Sequence, residues 1–147
     1  MPTSDQNPSA VPHANTAALL GKAYSALGHE IVAGVNAAGF PQRPAHSAVF
    51  AHIDLDGTRL TVLAQRANIT PQAMGELVDD LERRGYVTRR PDPDDRRAKL
   101  IALTATGVDA VEAALETIAS LEQRLEQRFG KTKMQQLRGM LQDIIRA

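Results

Sequence analysis

Apolar positions recur every three or four residues along four stretches of this chain, and between the second and third of them the period shortens to two. Leu19, Leu20, Ala23, Leu27, Ile31 and Val35 line one side of a first helix, which Asn15 or Thr16 can cap and which Gly39 and Pro41 end after about Ala38. Pro44 to His52 reads as a short second helix, and Asp54-Leu55-Asp56-Gly57 as a turn. Thr61 is expected to cap a third helix through Ala67. Asn68-Ile69-Thr70 then turns into a fourth, with Thr70 as N-cap and Pro71 as its first residue. Met74, Leu77, Val78 and Leu81 stand at i, i+3, i+4 and i+7, the spacing of a buried stripe. Gln72, Gly75, Glu76, Asp79 and Arg83 are left on the outer face, and Gly85 stops the helix.

Beyond Gly85 the signal is that of strands. Val87 to Arg90 is β-branched and basic, Pro91-Asp92-Pro93-Asp94-Asp95 punctuates a turn, and Lys99 to Leu103 carries Leu100, Ile101 and Leu103. The prediction is a β-hairpin with Arg96 and Arg97 at its tip. Thr104 starts a long helix with Val108, Val111, Leu115, Ile118, Leu125 and Phe129 near heptad spacing, stopped by Gly130. A last helix repeats the pattern with Met134, Leu137, Leu141 and Ile144. These terminal seams have too little domain of their own to cover, so the chain ends are expected to build a homodimer. The fold class is mainly α with a small β-hairpin wing: a winged helix-turn-helix with amino- and carboxyl-terminal dimerisation helices. Residues 1–14, rich in Pro, Ser, Asn and Gln, read as a disordered tail ahead of a single domain, 15–147. Within it, about 45–104 are expected to form the winged helix-turn-helix lobe, and 15–39 and 105–147 the dimerisation helices.

Composition narrows the chemistry. There is no cysteine among the 147 residues, which removes disulfides, thiolate metal sites and thiol-based oxidant sensing. Net charge is zero, against bulk coating of nucleic acid. Charge is nonetheless local. Between Arg83 and Lys99 stand seven basic residues against three aspartates, an edge suited to site-specific contact. No apolar run approaches a membrane span and the first residues carry no leader pattern, so a cytoplasmic protein with no membrane partner is expected.

Asp95-Arg96-Arg97-Ala98, followed by Leu103-Thr104 and Gly107, resembles the wing signature of the MarR family of bacterial transcription regulators. The resemblance covers about residues 15–146. It implies a regulator, most often a repressor, that binds a pseudo-palindromic double-stranded DNA operator as a homodimer and is released by a small phenolic or aromatic-acid effector. It also implies an interface of the first, fifth and sixth helices, here Leu115, Ile118, Leu125, Phe129, Leu137, Leu141 and Ile144. In the wing-tip pair of the family the Arg, here Arg97, enters the minor groove while the Asp, here Asp95, orients its guanidinium. A narrow A·T-rich groove suits an arginine. The competing reading of this tip is a solvated hairpin with a weak surface ion pair.

Arg89, Arg90 and Lys99 are candidates for phosphate contacts, whereas Arg83 and Arg84 fit a helix end as structural cations. In the fourth helix Gln72 is placed to read an adenine edge, and Thr70 and Pro71 at the helix start to hold a phosphate. Many relatives carry Ser or Thr and then Arg at Gly75 and Glu76, and a basic residue at Asp80. Glu76 can accept from a cytosine amino group and Gly75 can allow close approach; equally, both can be positions that weaken binding. Tyr24, His29, His46 and His52 come from the helices that line the effector pocket in relatives. As metal ligands the histidines lack helical spacing, so no metal and no cofactor is expected. No phosphate-binding loop, nucleophile elbow or paired catalytic constellation appears, and no enzyme is expected. The rival of another class is a winged-helix dimerisation or protein-interaction module that does not bind DNA specifically. The basic hairpin favours DNA.

Overall fold

A computed structural model describes residues 15–147; the tail expected over 1–14 lies outside the described residues. Helix α1 spans Thr16–Ala37, and the Asn15 side chain accepts from the Ala18 N–H, 2.9 Å away. A 3-10 turn, Pro44–His46, leads into α2, Ser47–Phe50. The single helix expected over Pro44 to His52 is therefore shorter and broken in character, and His52 lies beyond it. Strand β1 is Thr58–Arg59, α3 is Leu60–Ala67 and α4 is Pro71–Arg83. Strands β2 (Val87–Pro91) and β3 (Lys99–Leu103) are followed by α5 (Ala105–Phe129) and α6 (Lys131–Arg146).

The expected hairpin is one part of a three-stranded antiparallel sheet in the order β1-β3-β2. Thr58 lies opposite Ile101 and Arg59 opposite Leu100. That pairing holds the chain extended through Arg59, so α3 begins at Leu60, and Thr61 sits inside the helix instead of capping it. Thr58 is buried, and its hydroxyl accepts from the Asp54 N–H at 2.9 Å and donates to the Asp54 carboxylate at 3.2 Å. The turn joining α3 to α4 needs one left-handed residue, Asn68 at φ 56°, a conformation that asparagine adopts more readily than most.

The core gathers under the sheet: Val49, Leu63, Met74, Val78, Leu81, Tyr86, Val87, Ile101 and Ala110 are buried together. Each large apolar side chain among them contributes about 1.5–3 kcal/mol of burial. Tyr86 packs edge-on against Phe50, with ring centroids 5.9 Å apart, and its hydroxyl donates to the Pro41 carbonyl at 3.0 Å. Two glycines permit close crossings. A Cβ at Gly107 would lie 2.0 Å from the Tyr86 carbonyl oxygen, and one at Gly34 would lie 2.4 Å from Thr117 Oγ1. Outside this lobe burial is thin. Among the described residues, every exposed large hydrophobic one apart from Leu55 lies on α1, α5 or α6. Among the described residues no helix is long and apolar enough to cross a membrane.

Candidate nucleic-acid interface

The start of α4 is open to solvent. Thr70 Oγ1 accepts from the Ala73 N–H at 3.1 Å, which caps the helix, and Thr70, Pro71, Gln72 and Glu76 are all exposed. Gly75 is half-buried. A Cβ there would stand 3.9 Å from Leu60 on α3, so this position faces the neighbouring helix as much as the outer surface.

The wing tip is braced from within. Asp92, only 6% exposed, accepts the Asp94 N–H on one oxygen at 2.9 Å. Its other oxygen takes both Nε and Nη2 of Arg59, at 2.9 and 2.8 Å. The Asp94 N–H foremost, then Arg59, holds the Asp92 carboxyl below its usual range. The Asp92 N–H donates to the Ala98 carbonyl, and the Ala98 N–H to the Asp95 carbonyl. Arg96, Arg97 and Lys99 stand exposed on this frame, and their side chains make no ion pair among the described residues. The other two hairpin cations are engaged. Arg89 pairs with Asp79 at 2.7 Å and Glu82 at 2.8 Å, and Arg90 donates to the Asp56 carbonyl.

A second cluster lies under α4. Asp80 accepts from His46 Nε2 at 2.6 Å and from Arg43 and Arg84 at 3.2 Å each, with Arg83 at 3.5 Å. His46 is fully buried, and its Nδ1 accepts the Arg43 backbone N–H at 3.0 Å. That fixes the neutral tautomer carrying its proton on Nε2. Burial lowers the His46 pKa, although the bond to Asp80 opposes this, whereas the His46 hydrogen bond, ahead of the arginines, holds Asp80 well below the carboxylate range. The two directions agree for a neutral imidazole donating to a carboxylate.

Between α1, α2 and α5 lies a pocket of about 440 Å³, lined by Tyr24, Leu27, Ile31 and Val32, by Ser47, Phe50 and Ala51, and by Val111, Ala114, Leu115 and Ile118, with Gly28. Of the four sequence candidates only Tyr24 lines it. His46 is a core residue bound to Asp80, and exposed His29 donates from Nδ1 to the Ser25 carbonyl at 2.7 Å. His52 is half-buried near the α2–β1 turn, where its carbonyl accepts from Arg66. Leu115 and Ile118, read as dimer seam, also line this pocket. Leu125, Phe129 and Leu137 line a separate groove of about 390 Å³ between α1, α5 and α6. Leu141 is half-buried and Ile144 exposed.

The sequence profile of the MarR family matches residues 42–98, the span from the 3-10 turn to the wing. The uncharacterised HTH-type regulator YhbI of Bacillus subtilis is 32% identical over 81 residues, 55% of this chain and 53% of YhbI. Among solved structures, the transcriptional repressor CouR bound to a 23-mer DNA duplex superposes with TM-score 0.72 at 25% identity, over 93% of this chain and 99% of that one. Residues 42–98 of the chain thus resemble the MarR family, and the fold around them is that of CouR. CouR of Rhodococcus jostii RHA1 bound to p-coumaroyl-CoA superposes at TM-score 0.71 with 26% identity, over 89% of this chain and 92% of that one. The chain spans about half the length of the curated relatives it matches, 53% in the case of YhbI. YhbI is named a transcriptional regulator and CouR a transcriptional repressor.

The resemblance does not carry every family detail onto this chain. Asp95 does not hold the guanidinium of Arg97. Its Oδ1 accepts the backbone N–H of Arg97 at 3.0 Å, and its Oδ2 lies 3.9 Å from Arg59. A carboxylate two residues upstream reaches a backbone N–H more readily than a long, solvated side chain. Two residues with structural work in this site, Arg59 and Asp92, carried no signal beyond a helix flank and a turn. The role of Asp80, noted in the sequence only as a departure from the family, depends on partners 34 and 37 residues away.

Proposed function

We infer that this chain is a sequence-specific DNA-binding repressor, working as a homodimer on a pseudo-palindromic duplex and released by a small, uncharged ligand. The observation that carries the reading is the contrast within the hairpin: Arg96, Arg97 and Lys99 are exposed and unpaired on a braced tip, while the other cations are engaged by the protein. In this account Arg97 enters a narrow A·T-rich minor groove, with Arg96 and Lys99 beside it on the phosphates. Gln72 reads an adenine edge, Thr70 and Pro71 place the helix start against a phosphate, and Glu76 beside Gly75 meets the next base pair. Residues 45–104 form the DNA-binding lobe. The exposed apolar residues of α1, α5 and α6, among them Phe129, Leu137 and Ile144, are covered by a second copy, which sets the two recognition helices one helical turn apart.

The ligand sits in the pocket between α1, α2 and α5, where it contacts both the dimer helices and the DNA-binding lobe. Its release of DNA is a population shift towards a spacing that no longer fits adjacent grooves. No residue lining that pocket is charged; its side-chain polar groups are the hydroxyls of Tyr24 and Ser47, and Ser47 already donates to the Pro44 carbonyl at 2.8 Å. An unpaired carboxylate buried there is penalised heavily. The pocket thus supports the phenolic half of the expected effectors over the free acids. CouR is bound to p-coumaroyl-CoA, whose acyl group is phenolic, in line with that half of the expected effectors.

A salt titration of binding to random-sequence duplex tests the DNA-binding half. The reading expects affinity to fall steeply and linearly in log–log form as phosphate counter-ions are released. A protein-interaction module shows no such slope, and that result would refute it.

A further inference from the structure

Building on that DNA-binding role, the geometry points to Arg89 as the internal counter-ion of the recognition helix, not a contact to the duplex. Beyond Gln72 the solvent-facing side of α4 is acidic: Glu76, Asp79 and Glu82 are all exposed. The cations at the end of the same helix do not offset them, because Arg83 and Arg84 are gathered by Asp80. Double-stranded DNA carries one negative charge per about 1.7 Å of its axis, so an acidic helix face approaching it is repelled.

Arg89 answers two of these three carboxylates. Nη2 reaches Asp79 Oδ1 at 2.7 Å and Nη1 reaches Glu82 Oε1 at 2.8 Å, so the two arms of one guanidinium are divided between residues one helical turn apart. A lysine, with a single point of charge, does not span both. The register explains the aim. Arg89 stands opposite Ile101, and Val87, two residues earlier, is buried; side chains two apart share a face, so Arg89 leaves the sheet on the side of the helices. Its side chain is only 28% exposed, against 55% for Asp79 and 42% for Glu82. The same bonds tie β2 to α4, so the wing and the recognition helix are presented as one body. Contact with phosphates is left to Arg96, Arg97 and Lys99.

The experiment measures duplex affinity against salt for five proteins: wild type, Arg89→Gln, Arg89→Lys, Asp79→Asn with Glu82→Gln, and the triple variant. The duplex is one selected from a random pool with the wild type. Arg89→Gln is expected to weaken binding on the order of tenfold, with Arg89→Lys in between. Asp79→Asn with Glu82→Gln is expected to leave wild-type affinity unchanged or slightly raised. In the Arg89→Gln background the same pair restores affinity to within about twofold of wild type, so the gain there exceeds the gain in wild type by roughly threefold or more. A phosphate contact predicts otherwise: equal gains in both backgrounds, no restoration, and a salt slope lowered by about one in Arg89→Gln and the triple variant but not in Arg89→Lys. That pattern, or an Arg89→Gln protein that binds as wild type, would overturn the assignment while leaving the DNA-binding role intact. A wild type with no salt-dependent duplex affinity would remove both. Thermal unfolding of all five, expected to agree within a few degrees because these pairs lie at the surface, separates loss of binding from loss of fold.

Discussion

Replacing Gly107 with alanine tests the packing that joins the wing to the long helix. The added methyl would lie 2.0 Å from the Tyr86 carbonyl oxygen and 3.1 Å from its carbonyl carbon, far inside ordinary contact. The obstacle is backbone, so no side-chain rotation relieves it, and the start of α5 must retreat by roughly 1 Å or more. That carbonyl accepts the Thr104 N–H at 3.0 Å, and the Thr104 hydroxyl donates to the Gly85 carbonyl at 2.5 Å while accepting the Gly107 N–H at 3.1 Å. Retreat strains this junction. Overpacking of about 1–3 kcal/mol plus about 1 kcal/mol for a hydrogen bond given up places the loss near 3 kcal/mol. At this chain length that corresponds to a melting temperature roughly 6–12 °C lower. Thermal unfolding at fixed protein concentration reads it. Gly75→Ala is the matched control: its methyl meets only Leu60 at 3.9 Å, so relief of the glycine penalty in a helix should raise stability by about 0.5–1 kcal/mol. A Gly107→Ala protein melting within 2 °C or so of wild type would refute the reasoning.

Leu137→Asp with Leu141→Asp should convert the dimer to monomers in sedimentation and abolish specific DNA binding, since one half-site lacks the affinity of two; a wild type already monomeric at micromolar concentration would contradict this. The pH dependence has a definite sign. The folded His46 pKa lies below its ordinary 6.5, so the unfolded chain takes up a proton that the folded chain refuses, and stability falls as pH drops through that value towards the lower folded one. Asp80, held low, adds stability that is complete above the carboxylate range and is lost as pH falls further. His46→Gln keeps a donor for Asp80 but should flatten the melting-temperature slope between about pH 5 and 7; an unchanged slope would show that another group sets it. For the ligand, an aromatic methyl ester or amide should release DNA at lower concentration than its parent carboxylate, with Ala114→Phe in the pocket blunting the response; a preference for the acid would contradict an uncharged occupant.

Much of the fold was legible because long helices repeat their signal. Six apolar positions in the first helix, and four at i, i+3, i+4 and i+7 in the recognition helix, over-determine a period. Thr70 before Pro71 marks a helix start by chemistry alone. The two-residue strand Thr58–Arg59 has no period to detect, and its pairing with β3 reaches across more than 40 residues, so Thr61 was read as the cap. In the site, the exposed tip cations were visible as Arg96-Arg97 in a charged turn. The fate of Arg89 depends on which face of the strand it leaves by, and that is set by register. Asp92 and Asp94 look alike in Pro-Asp-Pro-Asp, yet one is buried against Arg59 and the other is exposed. His46 sits on a turn too short to show a face, and only the tertiary fold brings it to Asp80 and takes it out of the pocket.

The most direct test of the DNA-recognition role is selection of bound sequences from a random duplex library, run in parallel with wild type and Arg97→Ala. The account predicts that wild type enriches an inverted repeat, with half-site centres about one helical turn apart and A·T-rich positions where the wings reach the minor groove. Arg97→Ala should retain the central bases and lose the flanking A·T preference, with affinity for the enriched site weaker by about 1–3 kcal/mol. Absence of an enriched repeat from the wild-type pool, or identical flanks and affinity with and without Arg97, would contradict it.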